Sequence, residues 1–245
     1  MIKTAIIIAG GESTRLKPLT DEKPKTMIPV NGKPILYWII KWLKHHKIRH
    51  IVLGVGYKKE KIYEFMEENR NFKMEVDFSE DKISGGGTAH AFRCAIGDYI
   101  HEGNFIGMNS DELTNMNLSR LIKKHERYKP LVTMALSPFY CRFSVVKLQK
   151  GLKITDFEYG EKLWSVPVSM GVYALNRGIL ESLPEKGSIE DSLFTHLATN
   201  KGKIIGDMLN RNETWVSVNT QKDIKEADAF IKSLYLEKAT KTRKK

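Results

Sequence analysis

The chain has 245 residues, enough for one large α/β domain with a full core, and its 41% apolar and 28% charged residues are the proportions of an ordinary soluble globule. No run approaches the roughly 18 apolar residues of a membrane span, the chain is read as opening on a strand in place of a signal peptide, and Cys94 and Cys141 have no metal-ligand spacing, so a membrane span, a cysteine metal site and a disulfide framework are not expected and a cytoplasmic setting is. A net charge of +11 calls for a polyanionic partner, but the tail 237–245 holds five of the basic residues and no aromatic to stack on a base, so it is read as a solvated end and nucleic acid is not expected.

Thr4 to Ile8 is short, β-branched and free of charge, which predicts a strand buried on both faces, as in a parallel sheet. It ends in Ala9, Gly10 and Gly11 and then offers Glu12, Ser13, Thr14 and Arg15. Paired glycines let backbone N–H groups approach an anion, and Arg15 adds a planar fork of donors for phosphate oxygens; an ordinary strand-to-helix turn is the alternative. Downstream, Lys17 to Thr20 and Lys23 to Leu36 carry prolines that fix the path of a long loop and lysines that set charge along it.

This block resembles the signature of the sugar-phosphate nucleotidyltransferases, also called nucleotide-sugar pyrophosphorylases: G-G-x-G-T-R-L-x-P-L-T, a spacer, then P-K-x-M-x-P-V-x-G-K-P-I-L. Ser13 stands where most sugar-specific members have glycine, as in branches that transfer cytidylyl groups, or guanylate to a cofactor. The resemblance implies an α/β, Rossmann-like nucleotidyltransferase fold: a predominantly parallel central sheet flanked by helices, with a small antiparallel sugar-binding part. One domain is expected over 1–236, with a disordered basic tail at 237–245 and no appended C-terminal β-helix.

Beyond the signature, apolar residues at helical spacing predict a helix from Ile35 to His46, and Ile51 to Val55 a second buried strand, the start of a doubly wound sheet. Lys58 to Asn69 reads as a charged amphipathic helix and Lys73 to Phe78 as a strand. Ile83 to Thr88 is a second glycine-rich loop that leads into a helix from Ala89 to Tyr99; it suits an anion or a close ligand contact, or else a flexible turn. Gly87, Thr88 and Ala89 resemble the family's G-T-A segment, which lines the base and ribose pocket.

Phe105 to Met108 predicts a central strand that delivers Asn109, Ser110, Asp111 and Glu112 at its carboxyl end, where ligands gather in open α/β sheets. Asp111 resembles the family aspartate that binds Mg²⁺, with a helix cap as the alternative role. A strand over Leu131 to Ser137 is followed by Arg142 to Leu148 and Lys153 to Glu158, which resemble the paired strands before a sugar-contacting Glu-Lys-Pro motif. Glu161 and Lys162 are the candidates for that motif, with Glu158 a rival.

Pro167 to Leu175 resembles the family strand N-A-G-I-Y, in which Gly171 lets a sugar ring lie against the backbone and Ser169 replaces the asparagine. Ser188 to Asp191 supplies a helix cap and first-turn acids. Trp215 to Ile224 resembles W-x-D-x-G-T-P-x-D, with Ser217 in place of the metal-binding aspartate. Asn219 offers an amide oxygen instead, so Ser217 and Asn219 both stand as candidates for the second metal ligand, Asn219 preferred. The last helix is expected from Gln221 to Leu236, and the seven histidines at the surface.

The resemblance implies that a sugar 1-phosphate attacks the α-phosphorus of a nucleoside triphosphate and releases pyrophosphate. The loop from Ala9 to Thr14 would hold the triphosphate, Arg15 its outer phosphates and Lys25 the α-phosphate, while Asp111 and Asn219 hold Mg²⁺. The implied partners are these two small molecules, with no membrane or nucleic acid and a homo-oligomer left open. A cytidylyltransferase acting on a non-sugar phosphate and a non-catalytic regulator that binds nucleotide sugars are the alternatives.

Overall fold

In the computed structural model of the protein, residues 2–83, 85–160, 162–199 and 203–242 are described. The apolar run Thr4–Ile8 forms strand β1, and the two-residue strands β2 (Pro29–Val30) and β3 (Lys33–Pro34) pair within the long loop that follows. Helix α1 (Ile35–His45) leads to β4 (His50–Val55), and α2 (Glu60–Glu68) to β5 (Glu75–Glu80). Helix α3 (Gly87–Tyr99) precedes β6 (Asn104–Asn109), which turns into the short β7 (Glu112–Thr114). Helix α4 (Leu118–Tyr128) then joins β8 (Val132–Tyr140).

The hairpin β9 (Ser144–Leu148) and β10 (Ile154–Tyr159) leads into the long β11 (Lys162–Asn176). A turn of π-helix, Glu190–Phe194, runs into α5 (Thr195–Thr199); then come β12 (Ile204–Met208), β13 (Trp215–Ser217) and α6 (Gln221–Thr242). None of the described helices is long and apolar enough to cross a membrane.

Seven strands form one sheet in the order β12-β8-β11-β6-β1-β4-β5. Its pairs are parallel except the two that β11 makes, with β6 and with β8. The expected predominantly parallel sheet is therefore present, with a single reversed strand inside it.

Alternation along each strand feeds two cores. Ala5 and Ile7 of β1 join Ile51, Leu53, Ile106 and Met108 on the face covered by α1, α2, α4 and α6. Ile6, Val52, Phe105, Tyr173 and Leu175 point to the other face, against Phe92 and Ile96 of α3 and Leu193 and Leu197. Both faces are apolar because both are covered, which is why the strands read as continuous apolar runs.

Outside this block, β9 and β10 pair only with each other, and the ends of β8 and β11 reach out to meet them. This arm carries most of the large apolar side chains that the described surface exposes, Phe143, Phe157 and Tyr159 among them. Because β11 runs against β6, and β8 against β11, the arm projects from the edge at which β1, β4, β5 and β6 end.

Three expectations change. The α6 backbone continues to Thr242, past Leu236, because Glu237, Lys238 and Ala239 are good helix formers; residues 243–245 lie outside the described ones. His90 and His125 are buried, His125 hydrogen-bonded to Thr133 at 2.9 Å, so not every histidine is at the surface. Strand β11 begins five residues before Pro167, because it pairs with the far end of β8 beyond the covered sheet.

Candidate active site

Three stretches distant in sequence meet at the carboxyl edge of the sheet, the first of them supplying two residues. The loop after β1 brings Arg15, a short 3-10 turn at Lys25–Met27 brings Lys25, the β6–β7 turn brings Asp111, and the segment after β13 brings Asn219. Lys25 Nζ donates to Asp111 Oδ2 and, at 3.0 Å, to Asn219 Oδ1, while Arg15 Nη2 donates to the same Asn219 oxygen at 2.9 Å. The Lys25 side chain is 10% exposed and that of Asp111 17%, so the pair is largely withdrawn from water. Burial of this kind strengthens electrostatic contacts with an incoming anion.

The glycines of the first loop divide by role. A Cβ on Gly10 would sit 2.6 Å from Asp81 Oδ2 and 3.3 Å from Gly56 N, so Gly10 is needed for the strand ends to pack. A Cβ on Gly11 would meet nothing within 4 Å. Gly11, Glu12, Thr14 and Arg15 are exposed, Ser13 half-buried with a left-handed backbone at φ 52°, and Ala9 buried with its N–H on Gly54 O at 2.7 Å. Leu16 is buried and anchors the far end of the loop.

The second glycine loop is braced from behind. Gly87 has φ +77°, and a Cβ there would lie 2.4 Å from Gly187 O, which also accepts the Ala89 N–H at 2.9 Å. Thr88 Oγ1 accepts from Ile189 N at 2.9 Å and lies 3.4 Å from Glu190 Oε2. Glu190 also takes the Tyr173 hydroxyl at 2.8 Å, and Tyr173 in turn lies 3.5 Å from Ser169 Oγ. Glu190 thus links the Gly87–Thr88 loop to the strand that carries Ser169 and Gly171. Burial, and then the Glu190 charge, push the Tyr173 hydroxyl pKa far up, so it remains a donor.

Gly171 has φ +65°, and a Cβ there would stand 2.7 Å from Asn109 Nδ2 and 3.0 Å from Glu112 Oε1. Its missing side chain makes room for those two residues. Lys162 is exposed at the start of β11, in register with Tyr140, and no hydrogen bond or ion pair joins it to the Lys25 cluster among the described residues. Glu161 lies outside the described residues, and Glu158 pairs with Lys147 across the hairpin.

Several site residues escaped the sequence reading. Asp223 Oδ2 accepts from Asn219 N at 3.0 Å and Thr220 N at 2.8 Å, while Thr220 Oγ1 accepts from Asp223 N at 3.4 Å. This reciprocal cap at the start of α6 fixes the Asn219 backbone, and the T-x-x-D spacing was its readable signal. Burial would raise the Asp223 carboxyl pKa, but the Arg142 hydrogen bond and those N–H groups outweigh it and hold it below the usual range.

Glu112 is buried beside Asp111 and accepts from Trp215 Nε1 at 2.6 Å and Ser217 Oγ at 3.2 Å. Burial, and then the Asp111 charge, push its carboxyl well above the usual range. Burial likewise raises Asp81, against the pull of His90.

Asp111 and Asn219 turn an oxygen each toward one ammonium, so a single cation already lies within reach of both. A carboxylate and an amide oxygen make a hard donor set that suits Mg²⁺. The one group of three potential ligands found among the described residues, His50, Glu75 and Asp77, lies at the opposite, N-terminal ends of β4 and β5.

The sequence profile of the Nucleotidyl transferase family matches residues 4–233. The bifunctional protein GlmU of Methanococcus maripaludis is 33% identical over 214 residues, 84% of this chain and 49% of its own. The chain thus spans about half the length of that relative. The D-glycero-alpha-D-manno-heptose 1-phosphate guanylyltransferase of Aneurinibacillus thermoaerophilus is 31% identical over 197 residues, 78% of this chain and 83% of its own.

Among solved structures, HddC from Yersinia pseudotuberculosis complexed with GMP-PN superposes with a TM-score of 0.72 at 22% identity, over 94% of this chain and all of that one. At that identity the superposition speaks for the fold. With the profile over nearly its whole length and relatives of this kind, the chain belongs to the nucleotidyl transferase family, among the sugar-phosphate nucleotidyltransferases that its first 36 residues resemble.

Proposed function

We propose that the protein joins a sugar 1-phosphate to a nucleoside monophosphate unit taken from a nucleoside triphosphate, releasing pyrophosphate. The observation that carries the reading is the convergence of Arg15, Lys25, Asp111 and Asn219 at the carboxyl edge of the sheet. The chemical difficulty is electrostatic, since one anion must approach another and charge collects on the leaving group. Two cations and an open glycine loop, held by elements of a rigid sheet, meet that demand by positioning and charge neutralisation without a covalent nucleophile.

In this reading the backbone from Gly10 to Thr14 receives the triphosphate, with Gly11 leaving its approach clear. Arg15, exposed at the mouth, binds the outer phosphates and orients the leaving group. Lys25, further in, lies against the α-phosphate and offsets charge there as the bond forms. The Gly87–Thr88 loop, braced by Gly187 and Glu190, takes the base and ribose, and the strand around Ser169 and Gly171 takes the sugar. Asp111 and Asn219 would hold Mg²⁺, which when bound screens charge between the two phosphate groups.

The test is pyrophosphate release by the purified chain with Mg²⁺, across the nucleoside triphosphates crossed with hexose and heptose 1-phosphates. Phosphocholine and inositol phosphate stand as the non-sugar arm. Release confined to one sugar phosphate supports the reading; release only with a phosphoalcohol moves the chain to the cytidylyltransferase alternative. Silence in every arm alongside nucleotide-sugar binding favours the regulatory one.

A further inference from the structure

We propose that Trp215, Glu112 and Ser217 form a one-way hydrogen-bond relay whose purpose is to keep the side-chain oxygen of Asn219 turned toward the cation site. The proposal rests on reading Asn219 as a ligand for a hard divalent cation. It makes Glu112 and Ser217 positioning residues, acting through Asn219.

The amide of Asn219 can sit either way round, because its oxygen and nitrogen have nearly the same shape. Its backbone is already pinned by Asp223, so the half-turn of the side chain is the freedom that remains. Packing cannot choose between the two settings; the donors and acceptors on the two sides of the amide can, Lys25 and Arg15 on one side and Ser217 on the other.

That order starts at Trp215. An indole N–H only donates, so residue 112 must offer it an acceptor, and Glu112 Oε2 does so at 2.6 Å. Ionised, Glu112 offers its second oxygen as an acceptor too, and Oε1 draws the Ser217 hydroxyl proton, Oγ to Oε1 being 3.2 Å; the relay is that of the ionised carboxylate, which the Trp215 and Ser217 donors and Lys25 favour against burial. With its proton committed, Ser217 is left as an acceptor, and Asn219 Nδ2 donates to it at 2.7 Å. Asn219 Oδ1 then faces Lys25 and Arg15. The register of β7 with β13 sets Ser217 directly across from Glu112, which makes the relay a product of strand pairing.

Glu112→Gln reverses this order without changing size. The oxygen of the new amide must still go to Trp215, so its NH₂ faces Ser217. Ser217 becomes the acceptor from position 112 and sends its own proton toward Asn219. The Asn219 NH₂ then has no acceptor while its oxygen faces Lys25 and Arg15, and each turn that satisfies Ser217 presents NH₂ to the cation. Trp215→Phe removes the constraint, so in the double variant the amide at position 112 is free to give its oxygen to Ser217 and the original order returns.

The experiment titrates Mn²⁺ alone into the purified full chain and reads free Mn²⁺ by electron paramagnetic resonance, with thermal unfolding of each variant to confirm folding. The expected result is a loss of Mn²⁺ affinity of about tenfold or more in Glu112→Gln, the range for outer-shell partners of a metal. Because an ionised Glu112 offers an acceptor to Ser217 with or without the indole, Trp215→Phe loses less than Glu112→Gln, and the double variant recovers most of the loss. A purely structural role for Glu112 makes the double variant worse than either single one, and that result, or unchanged affinity in Glu112→Gln, overturns the relay.

If Glu112→Gln does not fold, Ser217→Thr and Ser217→Ala decide: threonine keeps the hydroxyl and the affinity, alanine loses both, and equal affinities overturn the relay. Asn219→Ala separates the two layers of argument. If it leaves Mn²⁺ binding intact, or wild type binds no Mn²⁺, the ligand reading falls and takes the relay with it. If it weakens binding while the relay variants break the stated order, the relay alone falls.

Discussion

Arg142 Nη2 lies 2.7 Å from Asp223 Oδ1, which ties the turn that opens the arm to the first turn of α6. The other oxygen of Asp223 caps the backbone of Asn219 and Thr220, so one carboxylate serves the arm, the helix and the site together. Asp223→Ala is expected to cost about 1–2 kcal/mol, the worth of a good helix cap, and to lower turnover by loosening Asn219. The Arg142 side chain is 45% exposed, and Arg142→Ala is expected to cost no more than about 1 kcal/mol. Urea unfolding of the two variants gives the comparison; equal losses would contradict the cap.

Lys25→Ala and Asp111→Ala should each reduce kcat by about 10²–10³, the effect of removing one preorganised electrostatic contact. Pyrophosphate release at saturating substrate measures this, with circular dichroism to show a folded chain. Near wild-type turnover in both would remove the catalytic role assigned to the cluster.

Gly11→Ala and Gly171→Ala should behave in opposite ways. The Cβ at Gly11 enters open space, so unfolding free energy should move by less than about 0.5 kcal/mol while nucleotide affinity falls. At Gly171 the backbone is left-handed and Asn109 and Glu112 occupy the space, so a loss of about 1–3 kcal/mol is expected. Melting curves with and without nucleoside triphosphates check both; a Gly11→Ala protein that binds nucleotide like wild type would show that the loop does not hold the phosphates.

His46, which caps the end of α1 near Trp42, has its pKa pushed down to about 4 from 6.5 by burial and then by His45. Between those values the unfolded chain binds a proton that the folded one does not. Stability should therefore fall as pH drops from 6.5 toward 4, by an amount that solvent screening of the part-exposed ring reduces. Urea midpoints for wild type and His46→Gln over that range test the sign: the variant should be flatter, and a steeper one would contradict it.

What could be read in the sequence was what is contiguous. Thr4 to Ile8 announced a buried strand, and the residues from Gly10 to Lys25 a signature, because the properties that matter lie side by side in the chain. Asp111 and Asn219 could be proposed separately, yet their meeting on Lys25 depends on β7 pairing with β13, a register that no local pattern encodes. Glu112, placed at the end of its strand, and Glu190, read as a first-turn acid, were given no part in the site for that reason, since a carboxylate in a short strand or first helical turn looks like any surface acid until its partners are in place. The start of β11 was hidden differently: its first half is exposed, so it lacks the apolar alternation that marks a covered strand.

Pro138 of β8 and Pro167 of β11 are partners in register, and beyond them only Phe139 and Tyr140 pair with Leu163 and Lys162 before the chain passes into the hairpin of the arm. The hairpin between them contributes no strand to the seven-stranded sheet, so a change in its length would cost the sheet little, the entropy of closing a loop changing by only about 0.6 kcal/mol per doubling of its length. The arm extends from the edge where Lys25 and Asp111 sit, and Arg142 at its root is bonded to the carboxylate that caps Asn219, so a change in the arm would reach the site through that contact.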